Sequence, residues 1–388
     1  MRPRLLYLIT EDWTFWEIRR DLARLAREAG YEVMIATRVT AHADRIRREG
    51  FHLIPITMLR ESRNLFREFL TFVELVRIYH RIRPQIVQHV AMKPVLYGSF
   101  AAWVTGVPVV INLFGGLGYA FTDRPEGASI IRTLLRRGLR SAIALSRSIV
   151  VIQNSDDREV LIREHIVDSS CIRLIAGSGV DIHRFVPVEP TTGDPIVMLV
   201  GRMLWDKGVG EFVDAVIRLQ KRKVRARFVL VGRVDQGNPT AISETQLQQW
   251  VQEYGIEWWG HREDLPTVLG QAALVVLPSY REGLPKVLLE AAACGKAVIA
   301  TDVPGCRSVV QHHQTGLLVP VRDAAALAEA IAELLGNAEL REVLGANARQ
   351  FVVCEHSSSR ISGEFLSLYR ELLGPSAPVA TKTSSASV

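Results

Sequence analysis

Short, wholly apolar runs alternate along this chain with longer stretches in which apolar residues recur every three to four positions. The runs predict buried strands and the longer stretches amphipathic helices. A strand is expected at residues 5–9. A helix follows over 17–29, with Leu22, Leu25, Ala26 and Ala29 on one side and Gly30 as its stop. Further strands are expected at 33–36, 53–56, 86–90, 107–112 and 149–152, with a helix over 66–83 ending at Pro84. The second half repeats the plan, with strands at 195–200, 227–231, 256–259, 274–277, 298–300 and 317–319. Such alternation predicts an α/β protein built as two facing, doubly wound, Rossmann-like domains. The Pro-, Thr- and Gly-rich stretch 187–195 is expected to link a domain over 1–187 to one over 195–360. The tail 374–388 is almost uncharged and rich in Pro, Ala, Ser and Thr, so disorder is expected there. Ligands of such sheets bind beyond the carboxyl ends of strands, so chemistry is expected in a cleft between the domains.

Composition narrows the class. Of 388 residues, 48% are hydrophobic and 23% charged, which excludes a disordered or collagen-like chain. The four cysteines lack C-x-x-C spacing, which argues against a disulfide scaffold or a structural zinc site. No apolar run is long enough to span a bilayer and no secretory leader is visible, so a cytoplasmic protein is expected. Charge is uneven. Residues 1–194 hold 27 Lys and Arg against 21 Asp and Glu, and residues 195–388 hold 20 of each. Arginine supplies 26 of the 27 cations in the first half. A basic half of this kind suits phosphates, anionic lipid or nucleic acid, or is simply a solvated surface.

The segment 278–295, PSYREGLPKVLLEAAACG, carries the densest chemistry. It follows an apolar strand. Glu282-Gly283-Leu284-Pro285 reads as a tight turn, with Pro285 in the first turn of a helix that stops near Gly295. The amides of Gly283, Leu284 and Lys286 at a helix start make an anion site. Glu282 and Glu290 can line one cleft, one toward a sugar and one toward ribose hydroxyls. The plainer alternative is an exposed Glu plus a helix-start Glu favoured by the dipole.

This strand-turn-helix, preceded by Gly201-Arg202 and Asp206-Lys207-Gly208, resembles the retaining GT-B glycosyltransferases of glycosyltransferase family 4. The resemblance spans nearly the whole chain and is strongest over 200–320. It implies that Arg202 and Lys207 bind the donor diphosphate, that Glu282 contacts the transferred sugar and that Glu290 contacts the ribose. Gly201, Gly283, Leu284, Pro285, Lys286 and Gly116 would complete the donor site. An Arg fork and a Lys point charge suit two phosphates and would offset leaving-group charge without a metal. No D-x-D metal clasp occurs, and neither a cofactor nor a metal is expected. The family's commoner turn is E-G-F-G; Pro285 removes one amide donor here, which shifts contacts toward Leu284 and Lys286. Residues 361–373 would form a helix crossing back to the first domain.

The same resemblance colours the first half. Asn112–Tyr119, NLFGGLGY, is similar to a glycine-rich loop of the subgroup that builds bacterial surface and protein-linked glycans on lipid carriers. It implies substrate contacts for Asn112, Gly116 and Gly118. His89 and Lys93, at the end of another strand in that subgroup's style, are candidate acceptor or substrate residues, with a core or strand-end histidine as the plainer reading of His89. Asp12 and Trp13 match an acceptor-loop pattern, D-W-F-F-x-x-H-R, although Glu17-Ile18-Arg19 lacks its His. Trp13, Phe15 and Trp16 could also reach lipid headgroups. Arg132, Arg136 and Arg140 are four apart on one helix face, a pattern for an anionic membrane or a lipid diphosphate, or equally for the solvated outer helix of an α/β domain. Residues 59–83, with Phe66, Phe69 and Phe72, are a second membrane candidate.

The expected reaction is transfer of a hexosyl or N-acetylhexosaminyl group from a nucleotide diphosphate sugar, UDP first and UDP-GalNAc as the sharpest guess. The expected acceptor is a glycan on undecaprenyl diphosphate, met at the inner face of the cytoplasmic membrane. The rival is a non-catalytic, two-lobed nucleotide-sugar or anion-binding module. A dehydrogenase lacks its G-x-G-x-x-G after the first strand, a P-loop is absent, and no nucleic-acid recognition motif is present.

Overall fold

The computed structural model describes residues 2–60, 62, 64–117, 129–188 and 193–378, without the side chains of 129–131. The chain divides into two compact units, Met1–Ser178 with Ile361–Val388, and Gly179–Arg360. Each unit is a parallel sheet covered by helices.

The first sheet contains β1 (Arg4–Glu11), β2 (Glu32–Arg38), β3 (His52–Pro55), β4 (Ile86–Val90), β5 (Val109–Leu113), β6 (Ile149–Ile152) and β7 (Ile172–Leu174). Their order is β3-β2-β1-β4-β5-β6-β7, so the winding reverses between β1 and β4. The second sheet contains β8 (Ile196–Val200), β9 (Arg227–Val231), β10 (Glu257–Trp258), β11 (Leu274–Leu277), β12 (Ala297–Thr301) and β13 (Leu317–Val319). Its order, β10-β9-β8-β11-β12-β13, reverses between β8 and β11. Every pairing is parallel. Burial on both faces explains why these strands read as apolar runs rather than alternating ones.

The crossing into the second unit comes at Gly179, ahead of the Pro/Thr/Gly stretch. Val180 and Phe185 are already buried in the second unit's core with Met198, Leu289 and Val352. Val180 N–H donates to His356 O at 2.9 Å, and Ser358 N–H donates to Val180 O at 2.9 Å. Residues 189–192 of the expected linker, and 379–388 of the expected disordered tail, lie outside the described residues.

The last helix, Ser358–Leu373, belongs from Ile361 onward to the first unit. Ile361, Phe365, Leu368 and Tyr369 are buried with Tyr7, Leu22 and Tyr31. The Tyr369 hydroxyl donates to Gln88 Oε1 and lies 3.1 Å from the Tyr7 hydroxyl. Arg19 is buried beneath this helix, 5.3 Å from the Phe365 ring, and donates to Gly177 O at 3.3 Å. Burial pulls its pKa down to about 10.

The predicted helix over 17–29 begins differently. A short turn, Asp12–Thr14, runs into a π-helix, Phe15–Arg19, before the α-helix Arg20–Glu28. The helix Met92–Thr105 has no counterpart among the expected elements. Pro94 disguises it, yet proline in a first turn displaces no intrahelical donor.

Candidate active site

The second unit's site is built where its winding reverses. The segments leaving β8 and β11 are therefore neighbours, the usual crevice of an open α/β sheet. After β8 the chain runs through Gly201-Arg202 to a single 3-10 turn, Trp205–Lys207, closed by Gly208 in the left-handed region at φ 70°. A Cβ on Gly208 would lie 2.1 Å from Pro278 O, so only glycine lets this turn meet the segment after β11. Tyr280 N–H donates to Asp206 O at 2.9 Å and stitches the two segments a second time.

That stitching brings together residues 75 apart in sequence. Lys207 Nζ donates to Glu282 Oε1 at 2.5 Å. The pair is mostly buried, at 21% and 11% side-chain exposure. A third segment backs it. The Thr301 hydroxyl donates to Ser279 O. Gly305 lies so close that a Cβ there would be 2.6 Å from Glu282 O and 2.5 Å from Gly283 O. Cys306 is buried beside them. Burial first, then the Glu282 carboxylate, pushes its thiol well above the ordinary value, so it stays a neutral packing group.

Arg202 Nη1 meets Asp235 Oδ2 at 2.6 Å. Asp235 belongs to the loop after β9, which is tied to the turn after β8 by Met203 N–H to Arg233 O, 3.0 Å, and Ile242 N–H to Met203 O, 3.0 Å. The helix Lys286–Ala293 starts one residue later than expected: Pro285 is its N-cap and offers no side-chain cap. Glu290 is buried, with its Oε1 3.7 Å from Lys286 Nζ. Tyr280 donates to Glu211 Oε1 at 2.6 Å; burial first, then this bond, pushes its phenol up to about 12, and Arg322 stacks 4.6 Å over its ring. Sequence reasoning missed Asp235, Tyr280, Thr301 and Gly305. Their shared signal is position: Thr301 ends a strand and the other three lie in segments that follow one.

The first unit corrects several expectations. His89 is fully buried on β4, between Tyr79, whose hydroxyl is 2.9 Å from Nε2, and Asn112 Oδ1, 2.7 Å from Nδ1. Burial pushes the imidazole down to about 4, so it is neutral. Asn112 is buried too and donates to Ser148 Oγ at 2.7 Å and Ser99 Oγ at 2.9 Å. These two residues form a closed polar network inside the unit rather than a substrate contact. Lys93 Nζ spends its three donors on Leu59 O, Ser62 O and Glu68 Oε1, at 2.7–2.8 Å. Asp12 is buried, accepting from the Thr40 hydroxyl, Thr40 N–H at 2.6 Å and His42 N–H at 3.1 Å. It organises the loop after β2, and its side chain is buried. Phe15 is buried against Tyr7 and Phe51, away from any lipid.

Trp13 is half-buried, and Gly116 sits after β5 at φ 128°. Gly118 and Tyr119 lie outside the described residues. On the helix Ser129–Ser146, Arg136 is held by Glu164 at 2.7 Å, while Arg140 is exposed and Arg132 half-buried. Among the described residues no helix is long and apolar enough to cross a membrane, and no group of three or more His, Cys, Asp or Glu could hold a metal ion.

Two doubly wound units, the second with paired cations at its switch point, make the GT-B fold of glycosyltransferases. The chain belongs to that class: residues 4–148 match the family described as glycosyl transferase 4-like, and residues 194–337 the glycosyl transferases group 1. It is 26% identical, over 95% of this chain and 99% of the relative, to the N,N'-diacetylbacillosaminyl-diphospho-undecaprenol alpha-1,3-N-acetylgalactosaminyltransferase of Campylobacter jejuni. It is 24% identical, over 75% of this chain and 76% of the relative, to the UDP-Gal:alpha-D-GlcNAc-diphosphoundecaprenol alpha-1,3-galactosyltransferase of Escherichia coli. Among solved structures, Anabaena HepE in complex with UDP and glucose matches with a TM-score of 0.77 at 16% identity, over 95% of this chain and 100% of that one. Sucrose-phosphate synthase of Thermosynechococcus elongatus matches at 0.76 and 22%, over 96% and 99%.

Proposed function

We propose that this glycosyltransferase moves a hexosyl or N-acetylhexosaminyl group, with retention of configuration, from a UDP-sugar to a glycan carried on undecaprenyl diphosphate, without a metal. The observation that carries this reading is the Lys207–Glu282 pair with Arg202 at the switch point of the second unit. The lipid-diphosphate sugar acceptors named for the Campylobacter and Escherichia relatives support the acceptor class, and the GalNAc named for the former supports UDP-GalNAc as donor.

As the bond between the sugar's anomeric carbon and the diphosphate breaks, negative charge grows on the leaving group. Arg202 and Lys207 offset it, helped by amides at the start of the helix Lys286–Ala293. Lys207 exchanges its carboxylate for phosphate, and Glu282 is then free to accept from the sugar's hydroxyls. Glu290 holds the ribose. The first unit takes the acceptor, with Trp13 and the segment after β5 in contact with it.

Peripheral attachment to an anionic membrane belongs to the same reading, on a different footing from the sequence expectation. The head of the helix Leu65–Ile82 leaves Leu65, Phe66, Phe69 and Leu70 48–85% exposed. Arg67 stands exposed among them. Apolar groups that dip below a headgroup layer beside cations suit an anionic bilayer. Arg137 and Arg140 of the basic helix Ser129–Ser146 are exposed as well.

Incubation with UDP-GalNAc and an undecaprenyl-diphosphate-linked sugar, with and without a chelator, tests the reaction. The expected product carries an added α-linked residue, seen by mass and by the anomeric proton coupling, at the same rate in both conditions. A β-linked product would overturn retention, and loss of activity with chelator would overturn metal independence. No transfer from any UDP-, GDP- or ADP-sugar would leave a binding module instead.

A further inference from the structure

Both cations of the proposed donor site are engaged by carboxylates, and the two engagements differ in kind. Lys207 is held by Glu282 in a mostly buried contact. Arg202 is held by Asp235 through one contact only, Nη1 to Oδ2 at 2.6 Å, with side chains 35% and 26% exposed. Two other arginine–carboxylate pairs of the same unit are two-pronged, although the more exposed Arg222 meets Glu329 through one contact. Arg227 grips Glu257 at 2.7 and 2.9 Å, and Arg262 grips Asp264 at 2.8 and 2.6 Å. Among the described residues Arg202 Nε and Nη2 make no hydrogen bond. A guanidinium with most of its fork unused, beside a carboxylate open to water, is arranged for exchange of partners.

Asp235 is not placed there by chance of a mobile surface loop. A Cβ on Gly232 would lie 1.7 Å from Gly201 O, so the two loops touch backbone to backbone. Trp205 N–H donates to Thr240 O at 2.8 Å, and Asn238 N–H closes a turn onto Asp235 O at 2.9 Å. Arg202 does not need Asp235 to hold its backbone. Gly201 N–H donates to Val231 O at 2.9 Å and Leu204 N–H to Arg202 O at 2.8 Å.

Resting on the donor-site reading above, we infer that Asp235 is a stand-in anion for Arg202, a partner that the donor diphosphate must displace from the guanidinium. The carboxylate thus sets donor affinity. It neutralises a cation that would otherwise attract any phosphate, and it releases that cation only to a diphosphate that Lys207 grips as well. Its displacement costs little because Asp235 can return to water. Discrimination against single phosphates follows: one phosphate does not repay the lost pair, whereas two phosphates on two cations do.

Calorimetric titration with UDP, UMP and uridine tests this in the full chain. Asp235→Asn, which keeps shape and removes charge, should tighten UDP about threefold to fivefold, the worth of a half-exposed ion pair. It should tighten UMP by a larger factor than UDP, narrowing the UDP-to-UMP ratio, and leave uridine unchanged. Asp235→Ala should behave alike. Unchanged or weaker UDP binding in both variants would overturn the inference and make Asp235 a support for Arg202. Arg202→Ala separates the layers. If it weakens UDP while Asp235→Asn does not strengthen it, only the stand-in role fails; if it leaves UDP affinity unaltered, the donor-site reading itself fails.

Discussion

Lys207 and Glu282 were legible as separate chemistry in the sequence, because a D-K-G turn and an E-G-L-P turn each announce a strand end. Their contact was not, since it depends on Gly208 meeting Pro278 O and on strand order. The residues that misled did so for one physical reason. A polar side chain at a strand end reads the same whether it faces a ligand or the interior, and only the fold tells which. Asp12, His89 and Asn112 face the interior, where each finds partners within the first unit. Asp12→Ala should therefore act on stability. It strips a buried carboxylate from three donors, at a cost of about 1–3 kcal/mol, and should lower the melting temperature by several degrees. A variant with unchanged melting but a raised acceptor KM would return Asp12 to the acceptor site.

At the scale of elements, the strands were the most legible feature, because strands buried on both faces read as unbroken apolar runs. Helices were less so. The first-turn proline of Met92–Thr105 hid one, and the π-helix Phe15–Arg19 altered the start of another. The basic helix Ser129–Ser146 looked like a uniform cationic face, yet its Arg136 is spent on Glu164. The helix Leu65–Ile82 looked weaker and, among the described side chains, exposes more apolar groups. Replacing Phe66 and Phe69 together with Asp should cut sedimentation with anionic vesicles severalfold, since each buried aromatic contributes on the order of 2 kcal/mol. Transfer to a water-soluble acceptor analogue should be unaffected. Equal sedimentation of wild type and variant would remove this helix from the membrane contact.

At the scale of the whole molecule, duplication of an α/β plan was visible from the two series of strand-like runs, and the GT-B fold follows from it. The point at which the chain passes from one unit to the other was not. Val180 and Phe185 look like linker by composition of their surroundings but are core residues of the second unit. The return of the last helix was implied by resemblance alone; its reason is the buried contact of Phe365 and Tyr369 with Arg19, Gln88 and Tyr7. The two units accordingly carry different duties. The first holds its polar strand-end residues inside and presents apolar and basic groups outside. The second carries Arg202 and Lys207 on the segment that follows β8.

That segment is tested most directly by single-turnover transfer from a saturating UDP-sugar, comparing wild type with Lys207→Ala. Loss of a preorganised positive charge on the leaving diphosphate should raise the barrier by roughly 3–4 kcal/mol and slow transfer by about a hundredfold or more. A rate within a few-fold of wild type, with the donor fully bound, would contradict the account.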